Sequence, residues 1–246
     1  MSIQINQSQC NLPNLPPFYQ LMLVTNKQNT PLNEYLKFID TCAKSGITAV
    51  QLREKNMPYT ELLQFGQKIQ AILAPFTIPL IINDNVKLAI ALDATGVHLG
   101  QTDHCPKKAR TQLGKQKIIG VSIDSMDNLL KANQLPIDYV GIGSIFPTKN
   151  KSNVVTYWGI EGLQKLAPLS THPIVAIGGI NERNAINIIQ AGAHGIAAIE
   201  AFHQTMNLPK TTQQLLHMTR GKHHDSFNSI QFNSSSTNKT FNSLSD

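Results

Sequence analysis

Short apolar runs rich in β-branched residues alternate along the middle of this chain with longer segments whose apolar positions recur at helical spacing. Runs of this kind are how strands buried on both faces read, whereas recurrence at every third or fourth position marks one face of a helix. The pattern predicts strands over Gln20–Val24, Ala49–Leu52, Leu80–Ile82, Gly96–Leu99, Ile118–Val121, Tyr139–Ile142, Ile174–Ile177 and Gly195–Ala198. Helices are predicted between them, on Leu36, Ile39 and Ala43, on Leu62, Leu63, Ile69 and Leu73, and on Val86, Leu88, Ala89 and Leu92. Further ones follow Pro106, cover Leu129–Ala132, Ile160–Leu166 and Ile186–Ile189, and close the set from about Lys210 to Met218. Local punctuation agrees: Pro58 and Thr60 precede one helix, Pro106 opens another, and Gly46, Gly114 and Gly192 follow three.

Eight strand–helix units in one chain predict an α/β protein of (β/α)8 barrel architecture, a TIM barrel. A doubly wound open sheet is the rival, but it would carry a Gly-rich first turn, and the first strand here runs into Val24-Thr25-Asn26-Lys27. The expected organisation is a flexible arm over residues 1–17, one catalytic barrel over 18–220 and a disordered Ser/Asn-rich tail over 221–246. With 246 residues, 41% hydrophobic and 15% charged, the chain has material for one core of ordinary size.

Charge and cysteine usage narrow the class. The formal net charge of +6 is concentrated around Lys107, Lys108, Arg110, Lys115 and Lys117, and aromatic content of 6% offers no basic stretch interleaved with stacking rings. Nucleic acid is therefore not an expected partner. No run approaches about 18 apolar residues, and the polar N-terminus lacks the basic and apolar regions of a secretory signal, so no membrane association is expected. Cys10, Cys42 and Cys105 are odd in number and dispersed, which fits a reducing cytoplasm.

The candidate chemistry lies where the strands end. In Gln51-Leu52-Arg53-Glu54-Lys55, alternation aims Gln51, Arg53 and Lys55 to one side. Arg53 offers a fork for phosphate, Lys55 a compact positive charge and Gln51 a donor and acceptor for a heterocycle edge, unless Arg53 simply pairs with Glu54. Asn83-Asp84 closes the next strand, and Asp103 follows the one after. Adjacent strands lie about 4.8 Å apart, so carboxylates just past two neighbouring ends can share one hard cation, and Mg²⁺ takes as few as one or two. Asp84 could alternatively cap the helix starting near Asn85. His98, His104 and Cys105 lack the further ligands that a zinc site needs.

The later strand ends carry a different set. Phe146-Pro147-Thr148-Lys149-Asn150-Lys151 presents hydroxyl, amide and ammonium groups able to bind phosphate oxygens. A Schiff-base lysine would want a desolvated strand position, and Lys151 sits in a loop beside Lys149. Gly178-Gly179, with the loop Ala198-Ile199-Glu200, falls where barrels commonly hold phosphate on backbone amides.

Taken together, Val50-Gln51-Leu52-Arg53-Glu54-Lys55, Ile82-Asn83-Asp84, Gly96-Val97-His98-Leu99-Gly100-Gln101-Thr102-Asp103, Gly120-Val121-Ser122, Asp138-Tyr139-Val140-Gly141-Ile142-Gly143, Phe146-Pro147-Thr148 and Ala176-Ile177-Gly178-Gly179-Ile180 resemble the thiamine-phosphate synthase family, in family order over about Gln20 to Leu208. The resemblance implies a transferase that joins 4-amino-2-methyl-5-(hydroxymethyl)pyrimidine diphosphate to a thiazole phosphate, or its carboxylated precursor, releasing pyrophosphate. It further implies that Gln51, Leu52, Arg53, Glu54, Lys55, Asn83, Ser122 and Lys151 surround the pyrimidine diphosphate, with Arg53, Lys55, Ser122 and Lys151 as the catalytic set. Asp84 and Asp103 would hold Mg²⁺. Thr148, Lys149, Asn150, Gly178, Gly179, Ile199 and Glu200 would receive the thiazole phosphate.

Three positions depart from that pattern: Asn150 stands where Thr is usual, Asp124 where His often follows Gly-Val-Ser, and Glu200 where Ser is common. An anion beside the second phosphate is unfavourable, so Glu200 is expected to point outward, leaving backbone amides to make the contact. The alternatives are the related thiazole tautomerase, which resembles this chain less in the diphosphate-binding residues, and a non-catalytic thiamine-phosphate sensor. Barrels of this size often form homo-oligomers, and no exposed apolar stripe in the sequence defines an interface.

Overall fold

A computed structural model describes residues 17–150 and 156–220; most of the expected arm, the tail and Lys151 lie outside them. Eight strands close into a barrel in chain order: β1 (Leu21–Val24), β2 (Ala49–Leu52), β3 (Leu80–Asn83), β4 (Gly96–Leu99), β5 (Ile118–Ile123), β6 (Tyr139–Ile142), β7 (Ile174–Ile177) and β8 (Gly195–Ala198). Every neighbouring pair is parallel, and closure is made by Leu21 opposite Ile196 and Leu23 opposite Ala198. The (β/α)8 barrel expected from the alternating pattern is therefore the fold. The strand ends match the expected ones closely. β5 runs on to Ile123 because Ser122 and Ile123 find partners in Gly141 and Ile142.

The helices around the barrel are α1 (Leu32–Ser45), α2 (Tyr59–Leu73), α3 (Val86–Ala91), α4 (Pro106–Leu113), α5 (Met126–Ala132), α6 (Gly159–Leu166), α7 (Ala185–Gln190), α8 (Glu200–His203) and α9 (Leu208–Arg220). α8 is the one that the spacing does not predict. Four residues are too few to display a helical period.

Alternation along the strands sorts apolar side chains into two layers. Met22, Val24, Ala49, Ile81, Ile118, Tyr139, Val175 and Ala197 fill the barrel interior. Leu21, Leu23, Val50, Leu52, Ile82, Val97 and Ile196 face outward into the larger layer shared with the helices. Each fully buried Val, Leu, Ile or Met contributes about 1.5–3 kcal/mol, so the two layers anchor both faces of the sheet. Phe18, just before β1, sets its ring edge-on to Tyr139 at 5.7 Å and closes the N-terminal end of the interior. The opposite end, where the strands finish, is left open to the loops.

Candidate active site

The open end holds a cavity of about 1010 Å³. Its wall collects Gln51, Arg53, Glu54, Lys55, Asn83, Asp84, Asp103, Ser122, Thr148, Lys149, Asn150, Gly178, Gly179, Ile199 and Glu200. Leu52 needs correction, because its side chain is packed in the outer layer against the helices, and only its backbone could meet a ligand. Lys151 lies outside the described residues.

One side of the wall is cationic. β2 ends deep in the barrel, so Gln51 is buried beside the Tyr139 hydroxyl, while Arg53 is half-buried and Lys55 exposed further up. The turn is fixed by Arg53 N–H donating to Thr25 Oγ1 at 2.8 Å, and the Arg53 guanidinium donates to Asn150 O at 3.3 Å. Glu54 accepts the Lys27 backbone N–H at 2.9 Å, so its carboxylate is committed to the β1 loop. Burial pushes the Arg53 guanidinium below its ordinary value, opposed by the charges of Asp84 and Glu54. Asn83 and Ser122 complete this side, with Ser122 Oγ 2.9 Å from His98 Nε2.

The two carboxylates meet across the ends of β3 and β4. Asn85, not Asp84, caps α3, its side chain accepting Leu88 N–H at 2.9 Å. Asp84 instead takes a left-handed backbone with φ 61°, a conformation that Asp tolerates better than most residues. Asp103 Oδ2 accepts Gly100 N–H at 2.7 Å, which pins its loop. Burial, and then the Asp103 carboxyl facing it, push Asp84 up to about 6, with Lys55 acting the other way. Among the described residues no third His, Cys, Asp or Glu joins them as a metal ligand. Two hard oxygen donors with open space in front fit Mg²⁺, which keeps waters and phosphate oxygens for its other positions, and do not fit a closed zinc site.

The other side is built from backbone. Gly178 and Gly179 have φ of 104° and 64°, and a Cβ would lie 2.0 Å from Ser144 Oγ at the first and 2.7 Å from Pro147 O at the second. Only glycine lets the turn after β7 lie so close under the β6 loop. Phe146 N–H donates to Gly178 O at 3.1 Å, joining the two. Opposite them Glu200 does not point outward as expected. Its Oε1 accepts from Asn150 Nδ2 at 2.7 Å and lies 3.5 Å from Thr148 Oγ1, so the carboxylate faces the β6 loop inside the rim. The amide of Asn150 supplies a donor that the hydroxyl usual there would have to share, and this attraction outweighs exposure to water.

Several wall residues escaped sequence reasoning. The β1 loop contributes Asn26, Lys27, Gln28 and Asn29, a polar run after a strand that was legible as such. His98 and Tyr139 form part of the floor, joined by a 2.8 Å hydrogen bond, and as inward positions of β4 and β6 they carried no signal beyond their polarity.

A barrel rim with cations and paired carboxylates on one wall and left-handed glycines on the other is that of an enzyme acting on phosphorylated small molecules. The family described as thiamine monophosphate synthase matches residues 21–202. The chain is 52% identical over 198 residues to the thiamine-phosphate synthase of Chlamydia abortus, covering 80% of this chain and 93% of that protein. It is 42% identical over 199 residues to the one of Vibrio parahaemolyticus, covering 80% and 97%. The solved thiamine phosphate pyrophosphorylase from Pyrococcus furiosus superposes with a TM-score of 0.73 at 32% identity, over 82% of this chain and 96% of that one. The chain belongs to the thiamine monophosphate synthase family.

Proposed function

We propose that this protein is a transferase of thiamine biosynthesis, condensing 4-amino-2-methyl-5-(hydroxymethyl)pyrimidine diphosphate with a thiazole phosphate, or its carboxylated precursor with loss of CO2, to give thiamine phosphate and pyrophosphate. The observation that carries this reading is the division of one cavity into two unlike walls, one rich in cations and carboxylates and one built around the Gly178-Gly179 turn. That division suits two phosphorylated substrates of different charge.

The pyrimidine ring is assigned to the floor, where Gln51 offers both a donor and an acceptor. Its diphosphate then reaches Arg53, Lys55, Asn83 and Ser122, and Lys151, outside the described residues, is assigned to it on the family resemblance alone. Bound by Asp84 and Asp103, Mg²⁺ would supply charge neutralisation to the departing pyrophosphate. As the C–O bond breaks, its electron pair leaves with pyrophosphate, and the amino-substituted ring delocalises the positive charge left on the methylene carbon. Arg53 and Lys55 stabilise the leaving group as its charge grows. The thiazole nitrogen lone pair then forms the new C–N bond, and no protein nucleophile is required. Holding the two rings in contact can by itself supply roughly 7–11 kcal/mol.

The second phosphate is assigned to Thr148, Asn150, Gly178, Gly179 and the amides near Ile199. Glu200 opposes it: unit charges about 4 Å apart repel by about 4 kcal/mol at an effective dielectric of about 20. Keeping the carboxylate on Asn150 is thus part of the binding reaction. Residues 18–220 form the catalytic unit in this reading, and a cytoplasmic location accords with the free thiols of Cys42 and Cys105. Among the described residues no helix is long and apolar enough to cross a membrane.

The test is direct. Purified protein with Mg²⁺ and both substrates is expected to release pyrophosphate only when the thiazole phosphate is present. Absence of that dependence under varied conditions overturns the assignment, and turnover of a thiazole alone would favour the tautomerase instead.

A further inference from the structure

Behind the second wall runs a set of polar groups that touches no assigned substrate. Tyr35, on α1, is 2% exposed, and its Oη accepts Asn26 N–H at 2.8 Å and lies 2.7 Å from His203 Nε2. His203, at the end of α8, places Nδ1 2.7 Å from Ile199 O. A carbonyl only accepts, so Nδ1 carries the hydrogen, and in the neutral ring Nε2 is an acceptor that takes the Tyr35 hydroxyl proton. Burial holds His203 below its ordinary value, consistent with that neutral ring. Its faces are covered by Tyr35, with centroids 5.7 Å apart and planes at 28°, and by Phe38 at 4.7 Å. The tautomer and the ring orientation are both fixed.

The same two ends meet again at the rim. Asn26 Nδ2 donates to Asn150 Oδ1 at 3.1 Å, and Asn150 Nδ2 donates to Glu200 Oε1 at 2.7 Å, with Glu200 following Ile199 directly. A carboxylate requires a donor, so the Asn150 amide has one orientation, which leaves its oxygen for Asn26. Asn26, Tyr35, His203, Ile199, Glu200 and Asn150 thus form a ring of five hydrogen bonds closed by the peptide link from Ile199 to Glu200, with Asn150 Nδ2 also 3.5 Å from Thr148 Oγ1. Linked hydrogen bonds of this kind stabilise one another and act as a unit.

We propose that Tyr35 and His203 are positioning residues for the second substrate, holding the Glu200 carboxylate in one orientation on Asn150 through this circuit so that it does not swing further into the cavity. The inference rests on the function proposed above. It assigns a role in the reaction to two residues that neither contact substrate nor carry any feature of the strand-end pattern.

The experiment is steady-state kinetics on the full chain with each substrate varied in turn. Tyr35→Phe is expected to raise KM for the thiazole phosphate about tenfold and to leave KM for the pyrimidine diphosphate and kcat within about twofold. In the Glu200→Ser background the same change is expected to leave the thiazole phosphate KM where Glu200→Ser alone sets it, because no carboxylate is left to hold. His203→Asn keeps a donor to Ile199 but removes the acceptor for Tyr35, so it should match Tyr35→Phe and serves if that variant folds poorly. A further rise in the Glu200→Ser background, or equal rises in both KM values, overturns the proposal. Amide exchange gives a reading that needs no turnover: Tyr35→Phe should speed exchange at Asn26 and also across the circuit at Phe202 and His203. Unchanged exchange at the far side overturns the circuit, whereas a wild-type protein without condensation overturns only the assigned reaction.

Discussion

The two walls of the cavity are made in opposite ways. On the β2–β5 side, Arg53, Lys55, Asp84 and Asp103 project from strand ends, and the two carboxylates face one another with the charges of Lys55 and Arg53 acting on Asp84. On the β6–β8 side, polar groups are already paired: Asn150 with Asn26 and Glu200, and Phe146 with Gly178. The first wall is dense in charge of both signs, which an ion and a diphosphate would complete. The second is internally satisfied, and a ligand there must compete with bonds the protein already makes. Affinity on the first side thus comes from added charge, and on the second from geometry and displacement.

The largest effect should come from the charged wall. Asp84→Asn and Asp103→Asn are each expected to lower kcat by about 10²–10³-fold while the fold is kept, measured as pyrophosphate release across a Mg²⁺ series. Activity near wild type at limiting Mg²⁺ would show that the carboxylate in question is no ligand.

That first wall was the part most legible in the sequence. A charged residue directly after a buried strand declares itself, and parallel register carries it to the rim with its neighbours. Asp84 and Asp103 could be paired from strand order alone. The second wall depends on contacts such as Asn26 with Asn150 and Asn150 with Glu200, between residues far apart in the chain, and no local period encodes them. Glu200 shows the limit clearly. Electrostatic reasoning about phosphate turned it outward, but the amide at position 150 offered its carboxylate a nearer partner. The short α8 and the His203 ring were hidden for the same reason, being fixed by packing against α1 and not by their own neighbours. The barrel itself was legible almost strand for strand, because burial on both faces leaves a continuous apolar run that few other environments produce.

The second wall should break by shape. Gly179→Ala forces a side chain into φ 64° and against Pro147 O, at a cost of about 1–3 kcal/mol in stability by denaturant titration. KM for the thiazole phosphate should rise much more than KM for the diphosphate. An unperturbed ratio of the two would place the second phosphate elsewhere. A smaller change, of opposite sign, is expected from Glu200→Ser, which removes the opposing anion and should lower the thiazole phosphate KM about three- to tenfold. A rise would mean that the carboxylate helps binding.

The smallest effect is on stability without Mg²⁺. Asp84 is raised to about 6 in the folded protein, so its contribution is fully present below the ordinary carboxylate range and is lost as pH climbs through about 6. After allowance for solvent screening this amounts to about 1 kcal/mol. The metal-free protein should therefore lose stability relative to Asp84→Asn between about pH 4 and pH 6 and run parallel to it above that. Stability curves parallel over the whole range would remove the repulsion from the account.

The interior below the cavity is filled by Met22, Val24, Ile81, Ile118 and Val175, with the Phe18 ring lying edge-on to Tyr139 beneath. Among the described residues the chamber is accordingly a cul-de-sac, plugged at the bottom and entered from the strand ends. In the reaction proposed above, the substrate assigned to Tyr139 would then arrive ahead of the one assigned beside Glu200, so a plug of side chains far from any reacting atom would impose a queue on the traffic.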